Sequence, residues 1–273
     1  MVKTPIKRIK MIRDITIGQY YPTKSVIHSL DPRVKFVGTI AYIVSLFLFD
    51  TYYGFIPAGL ALAGVILCSR IPFKFIFKGL KSIFFLLIIM ILFNLFLTPG
   101  EPIWSFWIFK ISEEGISNAV FMGIRLIFLV LGSSLMTYTT TPNKLTDGME
   151  RIFSFLKVFR VPVHEVAMMI SIALRFIPIL LEETDKIMKA QQARGADFES
   201  GNIFKRAKAL LPLLVPLIVS AFRRAGDLAE AMESRCYHGG KGRTKLNPLK
   251  YSYRDAVAYA IIVLYLVGVI IIP

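Results

Sequence analysis

The sequence has very few of the residues from which catalytic and metal sites are built. Among 273 residues there are only two cysteines and three histidines, and none of them lies near another at the spacing of a metal or redox site. No nucleophile stands beside a base, and no nucleotide-binding motif is present. We therefore expect no catalytic residue, no bound metal and no cofactor. The five side chains concerned are Cys68, Cys236, His28, His164 and His238.

The run that comes nearest to a phosphate-binding loop is Gly239-Gly240-Lys241-Gly242-Arg243. It has the glycines and the lysine of such a loop, but these residues are not in the required order, and no strand is expected before them. We interpret the run as a basic linker that follows a helix.

Acidic residues are scarce compared with basic ones, since 33 Lys and Arg face 18 Asp and Glu and give a net charge of +15. Such a surplus can indicate nucleic-acid binding, but no nucleic-acid-binding module is visible. The chain is 55% hydrophobic, with 22 phenylalanines and a mean hydropathy of +0.60. That is more apolar surface than a soluble domain of this size can bury, so the composition indicates an integral membrane protein. Its basic residues are then expected in cytoplasmic loops and at lipid headgroups.

The expected fold is an all-α, polytopic membrane protein with about five transmembrane helices. The loop at residues 70–81 is basic and has no acid, which predicts a cytoplasmic position, whereas the acidic loop at 98–115 with its two tryptophans is predicted to be external. No cleavage site follows the first apolar stretch, so we expect it to be a retained span. The predicted spans are 34–49, 54–69, 83–97, 116–138 and 256–272.

The chain divides by composition into four parts. Residues 1–33 form a basic cytoplasmic segment, 34–141 a bundle of four spans, and 251–273 the final transmembrane helix. Between them, residues 142–250 are predicted to form a cytosolic or interfacial helical coupling domain. More than half of the charged residues lie in and just after this domain.

Arg125 lies within the fourth predicted span. An arginine that faces lipid there would cost about 2.5 to 3.5 kcal/mol on insertion scales, so its side chain should face protein or a headgroup. Two interpretations stay open. The residue either lies near the end of a tilted helix and reaches to the interface, or it has a functional role.

The stretch from 182 to 240 is organised around two polar helical arms. The first runs from Glu182 to Gly195 and the second from Asp227 to Cys236. Each arm carries one arginine between small residues near its end, Arg194 in the first and Arg235 in the second. A cation in the last turn of a helix also offsets the helix dipole, so a purely structural role is the alternative to docking.

An apolar segment precedes each arm. Val166 to Leu181 has a broad apolar face and one narrow polar stripe, which predicts a helix that lies along the membrane surface or against other helices instead of crossing. Ala209 to Ala221 contains two prolines and is too short to span a bilayer. The polar stripe of the first segment, at steps of four, three and four, is Ser171, Arg175, Pro178 and Glu182.

Several short runs occur in an order that is more specific than any one of them. They are Ser25 to Lys35 with Leu30-Asp31-Pro32-Arg33, Leu145 to Glu150, Arg160 to Glu165, Ala173 to Pro178, Ala193 to Gly195, and Glu233 to Tyr237. In this order they closely resemble the transmembrane T component of energy-coupling factor transporters, the EcfT and CbiQ-like family. The likeness covers nearly the whole chain.

The resemblance implies a subunit without an ATP-binding motif that couples ATP hydrolysis by its partners to import. In that family the T component joins two cytoplasmic ATP-binding-cassette ATPases, EcfA and EcfA′, to a small membrane S component that captures a vitamin or metal ion. Substrate selection then belongs to the S component. The implied location is the plasma membrane of a prokaryote, with the N-terminus and the coupling domain in the cytoplasm.

The resemblance also assigns two sets of residues. The ATPase-docking set is Ala193, Arg194, Gly195, Ser234, Arg235 and Cys236. The family has Ala-Arg-Gly or a close variant at both sites, so the second triplet departs from it, and we expect substitutions of the two arginines to differ in severity. The methionine-rich face expected to receive the S component is Met168, Met169, Ile172, Ala173 and Phe176; a face that only packs within the chain is the alternative.

Other classes of membrane protein fit the residues less well. A gradient-driven secondary transporter normally has inverted repeats, broken spans or acids near the bilayer midplane. An intramembrane enzyme would need convergent acids, histidines or a nucleophile at membrane depth. A passive channel would leave the charged arms without a purpose. The alternatives that stay open are a gradient-driven secondary transporter and a membrane scaffold subunit. We therefore favour a coupling subunit that transmits the motion of ATPases to a substrate-binding partner.

Overall fold

The computed structural model of the chain describes residues 20–99, 102–106, 109–196, 198, 203–240 and 246–271. The basic residues up to 19 and the linker residues 241–243 lie outside this part of the chain, as do the predictions made for them. The interfacial position predicted for the two tryptophan side chains also lies outside what the structure describes.

Helices dominate the described residues, which confirms the all-α class. The α-helices are α1 (Val26–Ser29), α2 (Pro32–Ser45), α3 (Phe55–Ser69), α4 (Phe73–Leu97), α5 (Glu113–Thr139), α6 (Pro142–Ile152), α7 (Val163–Ala193), α8 (Ile203–Glu233) and α9 (Tyr253–Ile271). Two 3₁₀ helices span Tyr52–Gly54 and Phe153–Phe159. One antiparallel hairpin, β1 (Pro102–Phe106) with β2 (Phe109–Ser112), lies in the segment that the sequence predicts as a loop.

Local sequence signals explain where the helices begin. Asp31 accepts a hydrogen bond from the Arg33 amide (2.9 Å) and caps α2, whose first residue is Pro32. Ser112 accepts from the Gly115 amide (3.0 Å) and caps α5, whose first turn carries two glutamates that complement the helix dipole.

Four helical segments of the described chain are long and apolar enough to cross a membrane. They are Tyr52–Ser69, Glu113–Thr139, Val163–Ala193 and Tyr253–Ile271, and α4, bent by 55° between Lys81 and Ile83, would be a fifth. The number of candidate spans agrees with the prediction of about five, but the helices that make up the two sets differ.

The first predicted span, residues 34–49, corresponds to α2 and the turn after it. This helix has only 14 residues, a length of about 21 Å against a hydrocarbon core of about 30 Å. Conversely, α7 meets the length and composition criterion although the sequence pattern favours a surface position. The crossing of α2 and the surface position of α7 stay predictions.

The described chain separates into two compact units, the first of which comprises residues 17–152 and 249–273. Its core is rich in aromatic rings: Phe55 contacts Phe49 and Phe121 edge to face, with centroid distances of 5.1 and 4.9 Å. At Gly132 a Cβ atom would lie 2.5 Å from the ring of Tyr42. The close approach of α2 and α5 therefore depends on that glycine.

A buried polar cluster ties the start of α2 to the start of α9. Asp255 accepts hydrogen bonds from the Asp31 amide (2.8 Å) and the Ser252 amide (2.7 Å). Arg33 donates two bonds to Asp31 (2.9 and 2.8 Å) and lies 3.7 Å from the ring centroid of Tyr251. Burial alone would raise the pKa of Asp31, but the hydrogen bonds and charge of Arg33 outweigh it and hold that pKa below its ordinary value.

The second unit contains residues 153–248. Its described part consists of the second 3₁₀ helix, α7, α8 and the segment that follows α8. This returning segment passes so close to the start of α7 that a Cβ at Gly240 would overlap the ring of His164. Both long helices have 31 residues, and both contain internal prolines: Pro178 in α7, and Pro212 and Pro216 in α8.

Candidate functional site

The two predicted arms are the C-terminal halves of α7 and α8. In each helix an apolar segment is followed by a polar C-terminal segment, so the predicted apolar segments and the arms form two continuous helices. A proline inside a helix removes one backbone hydrogen bond but does not always end the helix. The sequence boundaries near 182 and 222 are thus changes of polarity within a helix.

The first arm ends in a turn that presents Arg194. This residue is the C-cap of α7, and Gly195 after it has the left-handed φ of +90°. The Gly195 amide donates to the Gln192 carbonyl (3.0 Å), and the Ala196 amide donates to the Gln191 carbonyl (3.0 Å). These two bonds define a Schellman motif, the common glycine-dependent end of a helix.

The second arm ends in the same turn without a glycine. The Cys236 amide donates to the Glu233 carbonyl (2.9 Å), and the Tyr237 amide donates to the Met232 carbonyl (3.1 Å). Cys236 therefore takes the place of Gly195 with a φ of 56°, and Arg235 takes the place of Arg194. The departure of the second triplet leaves the backbone setting of the arginine unchanged.

Both arginines are exposed, and so are the four small residues beside them. A guanidinium fork between such small neighbours can enter a narrow groove and hold a carboxylate by two hydrogen bonds. The structure thus places the six predicted docking residues at the two helix ends as two separate, chemically similar tips.

An ion pair joins the two helices at a matching position. Arg224 Nη2 of α8 donates to Glu183 Oε2 of α7 at 3.0 Å, and both side chains are partly exposed. Arg194 follows Glu183 by 11 residues, and Arg235 follows Arg224 by the same 11 residues. Each tip therefore lies about 16 Å along its helix from the shared contact.

The face predicted for the S component is only partly exposed. Met169 (57%) and Ala173 are open, whereas Met168, Ile172 and Phe176 are half-buried. The exposed stripe of α7 is completed by residues at helical spacing that the sequence reasoning did not name. They are Val166, Ile170 and Ile177.

A second apolar stripe on α8 was also missed. Its exposed residues recur at steps of three and four on one side of the helix, and Leu213 beside them is buried. The two prolines in this segment, which favoured an interrupted structure, concealed its helical period. The stripe consists of Leu210, Leu211, Leu214, Val215, Ile218, Val219 and Phe222.

Arg125 faces protein, which is one of the two environments that the sequence predicts for its side chain. Its side chain is buried and donates to the Phe49 carbonyl (2.6 Å), beyond the end of α2, and to Asp50 Oδ1 (3.3 Å). The guanidinium also lies 4.7 Å from the ring centroid of Phe121. These contacts give Arg125 a structural role within the first unit, residues 17–152 and 249–273, which we call the membrane unit.

Three relatives and one family resemble the chain closely. The cobalt transport protein family, CbiQ, matches residues 23–246. A protein of Ruminiclostridium cellulolyticum is 50% identical over 96% of this chain and 98% of its own. One from Clostridium kluyveri is 52% identical over 91% and 93%, and one from Bacillus subtilis is 46% identical over 93% and 97%. Each of the three is named energy-coupling factor transporter transmembrane protein EcfT.

Proposed function

Because the chain belongs to the CbiQ family and is the transmembrane component of an energy-coupling factor transporter, we propose that α7 and α8 link two ATPases to a substrate-binding membrane subunit. The chain is a multi-pass membrane protein. In this proposal it hydrolyses no ATP itself, since its sequence has no nucleotide-binding motif, and the energy comes from its partners.

The observation that carries the proposal is the pair of matched arginine tips. Two helices of equal length end in the same turn, and each turn presents one exposed arginine between small residues. A helix-end cation needs no such repetition, because it offsets the dipole of its own helix only. Two equivalent tips suit two homologous partners, and ATP-binding-cassette ATPases act in pairs.

Each arginine is proposed to bind acidic groups in a groove of one ATPase. When ATP draws the two ATPases together, both tips move with them, and rigid helices carry the motion inward. The Glu183–Arg224 ion pair lies at equal helical distance from the tips. We assign it the role of the point about which the two arms turn.

The apolar stripes of α7 and α8 are proposed as the surface that receives the S component. They lie on the same two helices as the tips, so motion of the arms reaches them without an intermediate element. Side chains such as Met169 can repack against a partner that changes its orientation, because the thioether is flexible. The arrangement couples ATPase closure to the position of the substrate-binding subunit.

The proposed location is the plasma membrane of a prokaryote, with the N-terminus and the coupling domain (142–250) on the cytoplasmic side. The basic residues at 70–81, which lie in the connection after α3 and in the first turns of α4, support this orientation. Reporter fusions provide the check: a reporter after Asp50 should be external and one after Lys78 internal. The opposite pattern would reverse the orientation.

Affinity purification of the tagged chain from native membranes tests the proposed function. We expect two ATP-binding-cassette ATPases, EcfA and EcfA′, and at least one small polytopic membrane protein to co-purify. Incubation with ATP and vanadate, which traps ADP and vanadate in the ATPase sites, should protect the ATPase contact during washing. Recovery of the chain without ATPases, from membranes in which those ATPases are expressed, would contradict the proposal.

A further inference from the structure

The segment between α6 and α7 has a sequence period of three. Residues 153–161 read as three triplets, Phe-Ser-Phe, Leu-Lys-Val and Phe-Arg-Val, each with an apolar residue, a polar or basic residue and a second apolar residue. Such a period does not match the 3.6 residues of an α-helical turn. It matches the three residues per turn of a 3₁₀ helix, which is the structure of Phe153–Phe159.

In a 3₁₀ helix, residues three apart lie above one another, so the period sorts the side chains into faces. Phe153 and Leu156 are half-buried on one face, within a unit in which this helix packs against α7. Phe155 (58% exposed) and Val158 (83% exposed) share another face and point outward. Phe159, at the end, is 73% exposed.

A basic face lies beside this apolar face. Lys157 occupies the middle of its triplet, and its side chain is exposed. Arg160 follows the helix: its amide donates to the Lys157 carbonyl (3.0 Å), its left-handed φ of 60° ends the helix, and its side chain is exposed as well. From Arg151 to His164 the sequence contains no acid.

We propose that residues 153–161, the interfacial segment, insert their apolar face into the headgroup region of the bilayer and bind anionic phospholipid through Lys157 and Arg160. Large exposed apolar side chains beside a row of cations are the composition of helices that lie in a membrane interface. An acid-free basic row suits a negatively charged lipid surface. Chain connectivity allows it, because only α6, about 16 Å long, separates this segment from the end of the span α5.

The occupant is lipid in this proposal, and not another protein chain. A protein partner would normally pair the exposed cations with acidic residues and bind the apolar side chains in pockets. A fluid headgroup layer has no fixed pockets, so an apolar face with a basic face beside it, as the period of three produces, is sufficient for binding. The segment directly precedes α7, so lipid binding would fix the starting point of the first coupling helix at the membrane surface.

Site-directed spin labelling of the assembled transporter in lipid nanodiscs tests the proposal. The exposed Cys68 is first replaced by serine and the exposed Cys236 by glycine, the residue that the first tip has at this position, and one label is attached at Val158→Cys. A matched label at Ser154→Cys reports on the polar face of the same helix. In nanodiscs that contain phosphatidylglycerol, we expect the label at 158 to lie about 5 to 10 Å below the phosphates, accessible to oxygen, and the label at 154 to face water.

The charge of the segment is tested in the same label. We expect the label at 158 to lie deeper in phosphatidylglycerol nanodiscs than in phosphatidylcholine nanodiscs, and Lys157→Gln with Arg160→Gln should abolish this difference. The control pair Lys186→Gln with Lys189→Gln, at exposed positions of α7, should leave the difference unchanged. If Val158→Cys prevents folding, Phe155→Cys on the same face replaces it. Equal water accessibility at 154 and 158 in both lipids would overturn the proposal, as would shielding at 158 that depends on bound ATPases and not on lipid.

Discussion

Cys236 adopts a backbone conformation that favours glycine. Its φ of 56° is unfavourable for a residue with a Cβ by roughly 1 to 2 kcal/mol. We expect Cys236→Gly to preserve transport and to raise the thermal stability of the chain, because glycine adopts this φ without strain. Cys236→Val should do the reverse, since a β-branched residue resists this conformation. Unfolding temperatures in detergent and uptake assays of the two variants provide the measurement, and a loss of transport in Cys236→Gly would contradict the role assigned to the turn.

Arg125 stabilises the membrane unit by holding the chain that follows α2. Arg125→Met removes the donor to the Phe49 carbonyl and leaves that buried acceptor unpaired, at a cost of about 1 to 3 kcal/mol. The unfolding temperature in detergent should fall by several degrees. Arg175→Met is the matched control, because Arg175 is exposed on α7; an equal effect of the two substitutions would show that the contact has no stabilising role.

Between helices α7 and α8, the Glu183–Arg224 ion pair is the proposed point about which the two arms turn. Because Glu183 and Arg224 are partly exposed, their pairing contributes about 1 kcal/mol or less to stability. Glu183→Arg alone should therefore leave the chain folded but lower the number of substrates imported per ATP hydrolysed. Adding Arg224→Glu should restore coupling by reversing the pair. Hydrolysis and uptake are measured in proteoliposomes, and a double variant no better than the single one would refute the pivot.

The apolar stripes of the two helices carry a separate prediction. Met169→Asp and Leu214→Asp each place a charge on an exposed stripe and should weaken capture of the S component, because the charge would have to be desolvated on docking. Binding of the ATPases should remain. Lys189→Asp, in the polar half of α7, is the control. Co-purification measures both partners, and full retention of the S component in the two stripe variants would identify the stripes as surfaces with another purpose.

Features of these two helices could be predicted from the sequence where they depend on residues close together in the chain, and not where they depend on distant residues. Both tips were predictable, because an arginine between two small residues at the end of a polar helical pattern is a local signal. The continuity of α8 was not, because Pro212 and Pro216 are local signs of interruption that neighbouring structure overrides. The partners Glu183 and Arg224 lie 41 residues apart, and no local pattern relates them. The apolar stripe of α8 was hidden for the same reason as its continuity.

In the membrane unit too, features that depend on neighbouring residues could be predicted from the sequence, and contacts between distant residues could not. Apolar length identified most of the candidate spans, and the charge of the loops gave an orientation. The brevity of α2 was concealed because the apolar run continues beyond Ser45 into a turn, and the location of Asp255 beside Asp31 depends on residues more than two hundred positions apart. Sequence reasoning therefore identified the parts of the transporter subunit but not the contacts that lock them together.

We propose that Arg194 and Arg235 together connect the chain to its ATPases. If each is buried against acids of its partner, truncating it should cost about 2 to 5 kcal/mol, much of it from the acid left unpaired. Their equal backbone settings mean that any difference in severity between the single variants must come from the flanking side chains. Arg→Lys should be a poor substitute, because lysine lacks the planar fork.

The most direct measurement is retention of the ATPases, together with uptake, by Arg194→Ala/Arg235→Ala in the reconstituted transporter. Arg175→Ala/Arg223→Ala, which removes two exposed arginines from the same helices, is the matched control. We predict that the tip variant inserts into membranes at the normal level, loses its ATPases and does not support uptake, while the control behaves as the unmodified chain. Uptake at the unmodified rate with the ATPases still attached would contradict the account, and the arginines would then be no more than cations at the ends of two helices.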